Sequence, residues 1–116
     1  MAFRQELGRT GETLAAEFLR NKGYDELARN YRLRQGEIDL LMRDGEAVVV
    51  VEVKTQTSGA VMDPIYKISP AKQRKLLLLA SIIAAKYPER NIRLDAVTLY
   101  WNPAGEPVLT HYENIL

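Results

Sequence analysis

Two acids and a lysine are the residues of this sequence best placed to do chemistry. Glu52 and Lys54 close the run Val48-Val49-Val50-Val51-Glu52-Val53-Lys54, and Asp39 sits in Gly36-Glu37-Ile38-Asp39-Leu40-Leu41-Met42. The valine run is apolar on both faces, the pattern of a strand inside a covered sheet, where an unpaired carboxylate or ammonium is strongly penalised. Side chains alternate along a strand, so Glu52 and Lys54 share one face and Val53 takes the other. Asp44-Gly45 between the two runs is a strong hairpin signal. A two-residue turn there pairs Arg43 with Glu46 and sets Asp39 opposite Val50. Asp39 and Glu52 then lie diagonally on one face, with Cβ atoms roughly 7–8 Å apart or less. Clustered carboxylates repel and take up protons unless a cation neutralises them. Oxygen ligands of this kind suit Mg²⁺ or Mn²⁺, and Lys54 adds a positive charge beside them. The set reads as a hydrolytic metal centre acting on a phosphate.

The elements around this hairpin must hold the remaining polar groups in place. A helical pattern runs from about Gly8 to Lys22, with Gly23 as its C-terminal cap. Glu12 heads the stripe Glu12, Ala15, Ala16 and Leu19, where it either complements the helix dipole or serves a site. Glu26 to Arg34 reads as a first strand, on which Arg29, Arg32 and Arg34 form either a solvated outer edge or a phosphate contact. Thr55 to Ser69 reads as a loop facing substrate, with Asp63 and Tyr66 as weaker candidates for contact. Ser69-Pro70 starts a second helix, serine as N-cap and proline in the first turn. Lys72, Arg74 and Lys75 crowd the positive end of that helix, which either attracts a nucleic-acid phosphate or leaves three solvated side chains. Gln73 leads the apolar stripe Gln73, Leu76, Leu77, Ala80 and Ala84 and points toward the hairpin's polar end. The helix ends near Tyr87-Pro88, and strands follow at Asn91 to Trp101 and at about Pro107 to Tyr112. Asp95 reads as a structural hydrogen-bonding group and His111 as a surface or capping histidine. The order α-β-β-β-α-β-β gives an α/β domain with a mixed central sheet flanked by helices, in which the strands on either side of the second helix run parallel.

Composition limits the alternatives. A chain of 116 residues, 47% of them hydrophobic, forms one domain spanning 1–116. There is no cysteine and only one histidine, which removes disulfides and thiolate or multi-histidine zinc sites from a single chain. The amino terminus lacks the apolar stretch of a signal peptide, and the longest apolar run, Leu76 to Ala85, is too short to span a bilayer, so a cytoplasmic location is the default. The formal net charge is only +1, so any basic surface must be local.

Asp39, a turn, then Glu52-Val53-Lys54 resembles the PD-(D/E)XK nuclease superfamily. Gly11-Glu12 together with Gly36-Glu37-Ile38-Asp39 resembles the small YraN-type family of predicted endonucleases within it, over nearly the whole chain. Ile38 stands where the superfamily's name has proline, and Gln56 where many relatives have a basic residue. The resemblance implies a restriction-endonuclease-like core and a Mg²⁺-dependent endonuclease acting on DNA, branched DNA included, with Mn²⁺ as a substitute ion. On that reading Asp39, Glu52 and the Val53 carbonyl bind metal, and Glu12 holds a second ion or the attacking water. Lys54 orients the nucleophile or neutralises developing charge, and Gln73 helps position water. Lys72, Arg74, Lys75 and Arg34 contact nucleic acid. A homodimer would let a one-site enzyme cut two strands. Two other classes fit the same residues: a nucleic-acid-binding module without turnover, and a structural protein in which Glu52 and Lys54 form a buried ion pair.

Overall fold

A computed structural model of the chain describes residues 2–56, 68–102 and 105–115, with side chains from residue 10 onward. Helix α1 (Ala2–Asn21) precedes strands β1 (Asp25–Leu33), β2 (Gly36–Asp44) and β3 (Ala47–Gln56). Helix α2 (Pro70–Lys86) and strands β4 (Asn91–Tyr100) and β5 (Val108–Tyr112) complete the domain. The five strands form one mixed sheet in the order β1-β2-β3-β4-β5, antiparallel except for the parallel pair β3–β4. Parallel neighbours need a long crossover, and the connection carrying α2 supplies it. The expected α/β class and element order are therefore those observed. The proposed loop between Thr55 and Ser69, with Asp63 and Tyr66, lies mostly outside the described residues.

Two apolar cores sandwich the sheet. On one face Ala15, Ala16 and Leu19 of α1 pack on Leu40, Met42, Val49, Val51, Val97 and Leu99. On the other, Leu76, Leu79 and Ile83 of α2 pack on Leu41, Val48, Val50 and Leu94. Burial of Val48 to Val51 from both sides is what the unbroken valine run requires. Burying each such side chain contributes about 1.5–3 kcal/mol. α1 stops where expected: Gly23 takes φ +99°, and the bonds Gly23 N–H to Arg20 O and Tyr24 N–H to Leu19 O close a Schellman-type cap.

Three expectations need correction. The β2–β3 hairpin is closed by Asp44 and Ala47, so its two-residue loop is Gly45-Glu46. Gly45 alone carries the positive φ, +58°, the pattern of a type II′ turn, which matches strand twist with glycine first. The register therefore slides by two residues from the one expected. A shift of two preserves the face of every side chain, so Asp39 comes level with Glu52 instead of diagonal to it. Arg34 is not in β1 but in the Arg34-Gln35 loop between the Leu33–Gly36 pair. On α2, Leu77 is 52% exposed, and the core-facing residues are Leu76, Leu79 and Ile83. Four consecutive leucines leave the helical phase undetermined by sequence, and packing against β2 and β4 selects it.

Candidate active site

β2 and β3 part company at the acids. Their ladder runs from Asp44–Ala47 to Leu40–Val51, and beyond it β3 continues alone beside β4. Into this opening Asp39 turns its carboxylate, whose Oδ2 accepts the Val53 N–H at 2.9 Å. Glu52 is on the α2 face, as alternation from Val48 and Val50 requires, and is only 5% exposed. The two carboxyl groups come within hydrogen-bonding reach of each other. Burial, then the charge of Glu52, push the Asp39 pKa up to about 7, against the pull of the Val53 N–H. Asp39 and Glu52 are thus brought together as the sequence expected.

Glu12 approaches the same opening from α1. Its pKa is raised by burial and then by the negative charge of Asp39, while a bond from the Asn30 side chain works the other way. Asn30 sits inside β1 with φ +50°, a left-handed conformation asparagine tolerates better than most residues. What lets α1 come so close is Gly11, whose hypothetical Cβ would lie 2.6 Å from the Thr55 Oγ1.

The amino end of α2 closes the opposite side. Ser69 caps the helix through its Oγ, which accepts the Lys72 N–H at 3.1 Å. The Lys72 ammonium stands 3.4 Å from Glu52 Oε2. Expected only as a nucleic-acid contact, Lys72 is thus also the cation at the acids. Lys54 has no carboxylate within ion-pair reach among the described residues, so the buried Glu52–Lys54 pair of the structural reading is not formed. Gln73 donates its Nε2–H to the Ile68 carbonyl at 3.1 Å, and its Oε1 accepts nothing from the described residues. The Lys75 ammonium donates to the Gln35 carbonyl at 2.8 Å, pinning α2 to the β1–β2 loop that carries exposed Arg34. Arg74 is exposed as well. Arg29 is committed elsewhere, bonded to Glu26 and to Thr13 Oγ1, and Arg32 lies 3.5 Å from Glu37.

A second polar cluster was not anticipated. Asp95, His111 and Glu113 offer ligand atoms within 4.8 Å of one another, close enough to hold a metal ion. Asp95 pairs in register with Val51 and so faces α1, away from Glu52. It is fully buried, but its oxygens already accept from Arg93, His111 Nε2 and the Asn114 N–H. These bonds outweigh burial and hold its pKa below the usual range. His111 is therefore not a surface histidine; its side chain is 2% exposed. The Lys22 ammonium, 3.0 Å from Nδ1, donates there and leaves the ring proton on Nε2, facing Asp95. With a guanidinium already inside the cluster, a cation there must compete with Arg93. Asp95 matches its expected structural role, but nothing in the local sequence pointed to His111 or Glu113 as its neighbours.

Comparison with known proteins places the chain. The model of the family described as "Uncharacterised protein family UPF0102" matches residues 11–99. A UPF0102 protein of Anaeromyxobacter dehalogenans is 43% identical over 111 residues, covering 94% of this chain and 82% of its own length. One of Clavibacter michiganensis is 38% identical and covers 92% of each chain. Another, of Chlorobium chlorochromatii, is 48% identical over 79% of this chain and 72% of its own. The matched span runs from Gly11 through Asp39, Glu52, Lys54 and Gln73, and the protein belongs to the UPF0102 family, the YraN-type branch of the PD-(D/E)XK-like nucleases.

Proposed function

We propose that this protein is a metal-dependent endonuclease that hydrolyses phosphodiester bonds in DNA. The observation that carries this reading is the pair of converging carboxylates, Asp39 and Glu52, with Asp39 driven toward its protonated form by burial and by the charge of Glu52. Such a donor set fits a hard divalent ion, Mg²⁺ or Mn²⁺. Asp39 and Glu52 would hold it, with the Val53 carbonyl as a third oxygen donor. When bound, the ion would supply a lowered pKa for the attacking water and stabilisation of charge on the phosphoryl oxygens.

The rest of the work falls to the chain's own groups. Val53 N–H fixes the rotamer of Asp39, so one of its oxygens stays directed by the backbone. Lys54, free of acidic partners among the described residues, is available to orient the nucleophile or to offset negative charge on the scissile phosphate. Glu12 would hold a second ion or orient the water, and its raised pKa suits it to accept a proton. Gln73 keeps Oε1 available to accept from water while Ile68 O fixes its amide. Arg34, Arg74 and Lys75, near one end of the sheet, provide a local basic surface for the DNA backbone. A symmetric dimer would bring two such sites to a duplex.

The test is Glu52→Gln, which removes a charge while keeping the shape. It should abolish Mg²⁺-dependent DNA cleavage with the circular dichroism spectrum unchanged; cleavage at the wild-type rate would rule the assignment out. A nucleic-acid-binding module without turnover is the second reading, favoured by the exposed Arg34 and Arg74 and by a lysine already resting on Glu52. DNA binding in EDTA with no cleavage in Mg²⁺ or Mn²⁺ would select it.

A further inference from the structure

Lys72 occupies an uncomfortable position. It lies in the first turn of α2, where the helix dipole is already positive and no acidic residue of that turn offsets it. Its ammonium is nevertheless directed at Glu52, whose side chain is only 6% exposed while that of Lys72 is 37% exposed. A pair with one member in water and the other buried matters chiefly to the buried member. Lys72 is the one cation of the described residues within ion-pair distance of either acid. It therefore does in the metal-free protein what a divalent ion would do more completely.

We propose that Lys72 is an exchangeable counter-cation of the Asp39–Glu52 pair, displaced from Glu52 when a divalent ion binds and thereby released to a phosphate of the nucleic acid. The inference rests on the reading of Asp39 and Glu52 as metal ligands. A divalent ion neutralises both carboxylates by itself, so Lys72, like Lys54, is then left as surplus positive charge beside the site. A phosphodiester carries the negative charge that surplus lacks, at the amino end of a helix whose dipole favours the same kind of ligand. Lysine suits such exchange because its compact charge rides on a flexible four-carbon stem, and the stem is already partly in solvent. Metal and DNA would thereby bind cooperatively, since each removes what opposes the other.

Exchange predicts a gain of metal affinity on removal of the lysine, which a merely stabilising lysine does not. Calorimetric titration of the full chain with Mn²⁺ alone should give a dissociation constant lower by about tenfold for Lys72→Met than for wild type, the direction expected for deleting a like charge beside a cation. Lys72→Arg, which keeps the charge, should stay close to wild type. Duplex DNA at saturating Ca²⁺, read by fluorescence anisotropy, should bind Lys72→Met several-fold more weakly. A second measurement avoids mutation: Mg²⁺ should raise the rate at which acetic anhydride modifies Lys72 in the wild-type protein, followed by mass spectrometry of its peptide. Mn²⁺ affinity of Lys72→Met equal to or weaker than wild type, or Lys72 modification unchanged or slowed by Mg²⁺, overturns the exchange. If wild type binds Mn²⁺ and Glu52→Gln does not, those negative results refute the exchange and leave the nuclease reading standing. Absence of Mn²⁺ binding by wild type and Lys72→Met alike refutes both.

Discussion

Asp39 is held in an environment that opposes its charged form, and the consequence is a stability that depends on pH in an unusual direction. Its folded pKa is raised from 3.8 to about 7, by burial first and by Glu52 second. Between those values the folded state holds a proton that the unfolded chain has released, so the number of protons bound is greater in the native state and stability falls as pH rises. The metal-free protein should therefore lose stability from about pH 4 up to about pH 7, with no further loss from this group above that. Urea unfolding in EDTA at a series of pH values measures the slope. Asp39→Asn should flatten it and should be more stable than wild type at pH 8, although it binds no metal. A slope unchanged by the substitution would mean that Asp39 is not the group responsible. Asp95 has the opposite sign: its lowered pKa contributes stability throughout the neutral range, lost only as acid carries the pH down through its folded value.

At the scale of elements, the site is made by two departures from regular packing. One is the parting of β2 from β3, which exposes Val53 N–H to a side chain instead of a neighbouring strand. The other is the close approach of α1 to the end of β3 over Gly11. An alanine Cβ 2.6 Å from Thr55 Oγ1 must push helix or strand aside, at about 1–3 kcal/mol for overpacking. Alanine recovers about 1 kcal/mol of helix propensity in return. Gly11→Ala should thus lower stability by up to about 2 kcal/mol and, by displacing Glu12, lower cleavage more than it lowers stability. Thr55→Ala removes Oγ1 and leaves only the Cβ at 3.8 Å, an ordinary contact. In that background Gly11→Ala should become neutral or stabilising, and this change of sign in a double-mutant cycle locates the effect in the helix–strand contact. A different joint holds the far side of the domain. Arg93 bonds Asp44, Asp95 and the Tyr24 hydroxyl, tying the start of β4 to the end of β2 and to the turn after α1. Arg93→Met strands a buried carboxylate, at a cost of about 3–5 kcal/mol read from urea midpoints, less in so far as His111 still partners Asp95.

Seen as a whole, the molecule is an asymmetric sandwich whose two faces carry two ligand-rich clusters, one holding an aspartate near neutrality and one satisfied by arginine. The order of elements, the parallel β3–β4 pair and the covered valine strand were readable from hydrophobic period and turn residues, because those signals are local. Asp39 and Glu52 could be put on one face despite a wrong register, since an error of two residues leaves parity intact. What could not be read depends on contacts distant in sequence. The phase of α2 within its leucine run is one example; the meeting of Lys72 with Glu52 and of Asp95 with His111 are others. Which cluster takes a metal can be decided on the whole chain by linkage between ion binding and unfolding. An ion that binds only the native state at a hundredfold excess over its dissociation constant adds about 2.7 kcal/mol, a rise in melting temperature on the order of 10 °C for a domain of this size. Mn²⁺ should produce that rise in wild type and in Glu113→Gln, and none in Glu52→Gln. Because both substitutions remove one carboxylate charge, a general electrostatic effect of the ion would reduce the rise in both. Loss of the rise in Glu113→Gln with its retention in Glu52→Gln would move the metal to the α1 face, and with it the chemistry assigned to β2 and β3.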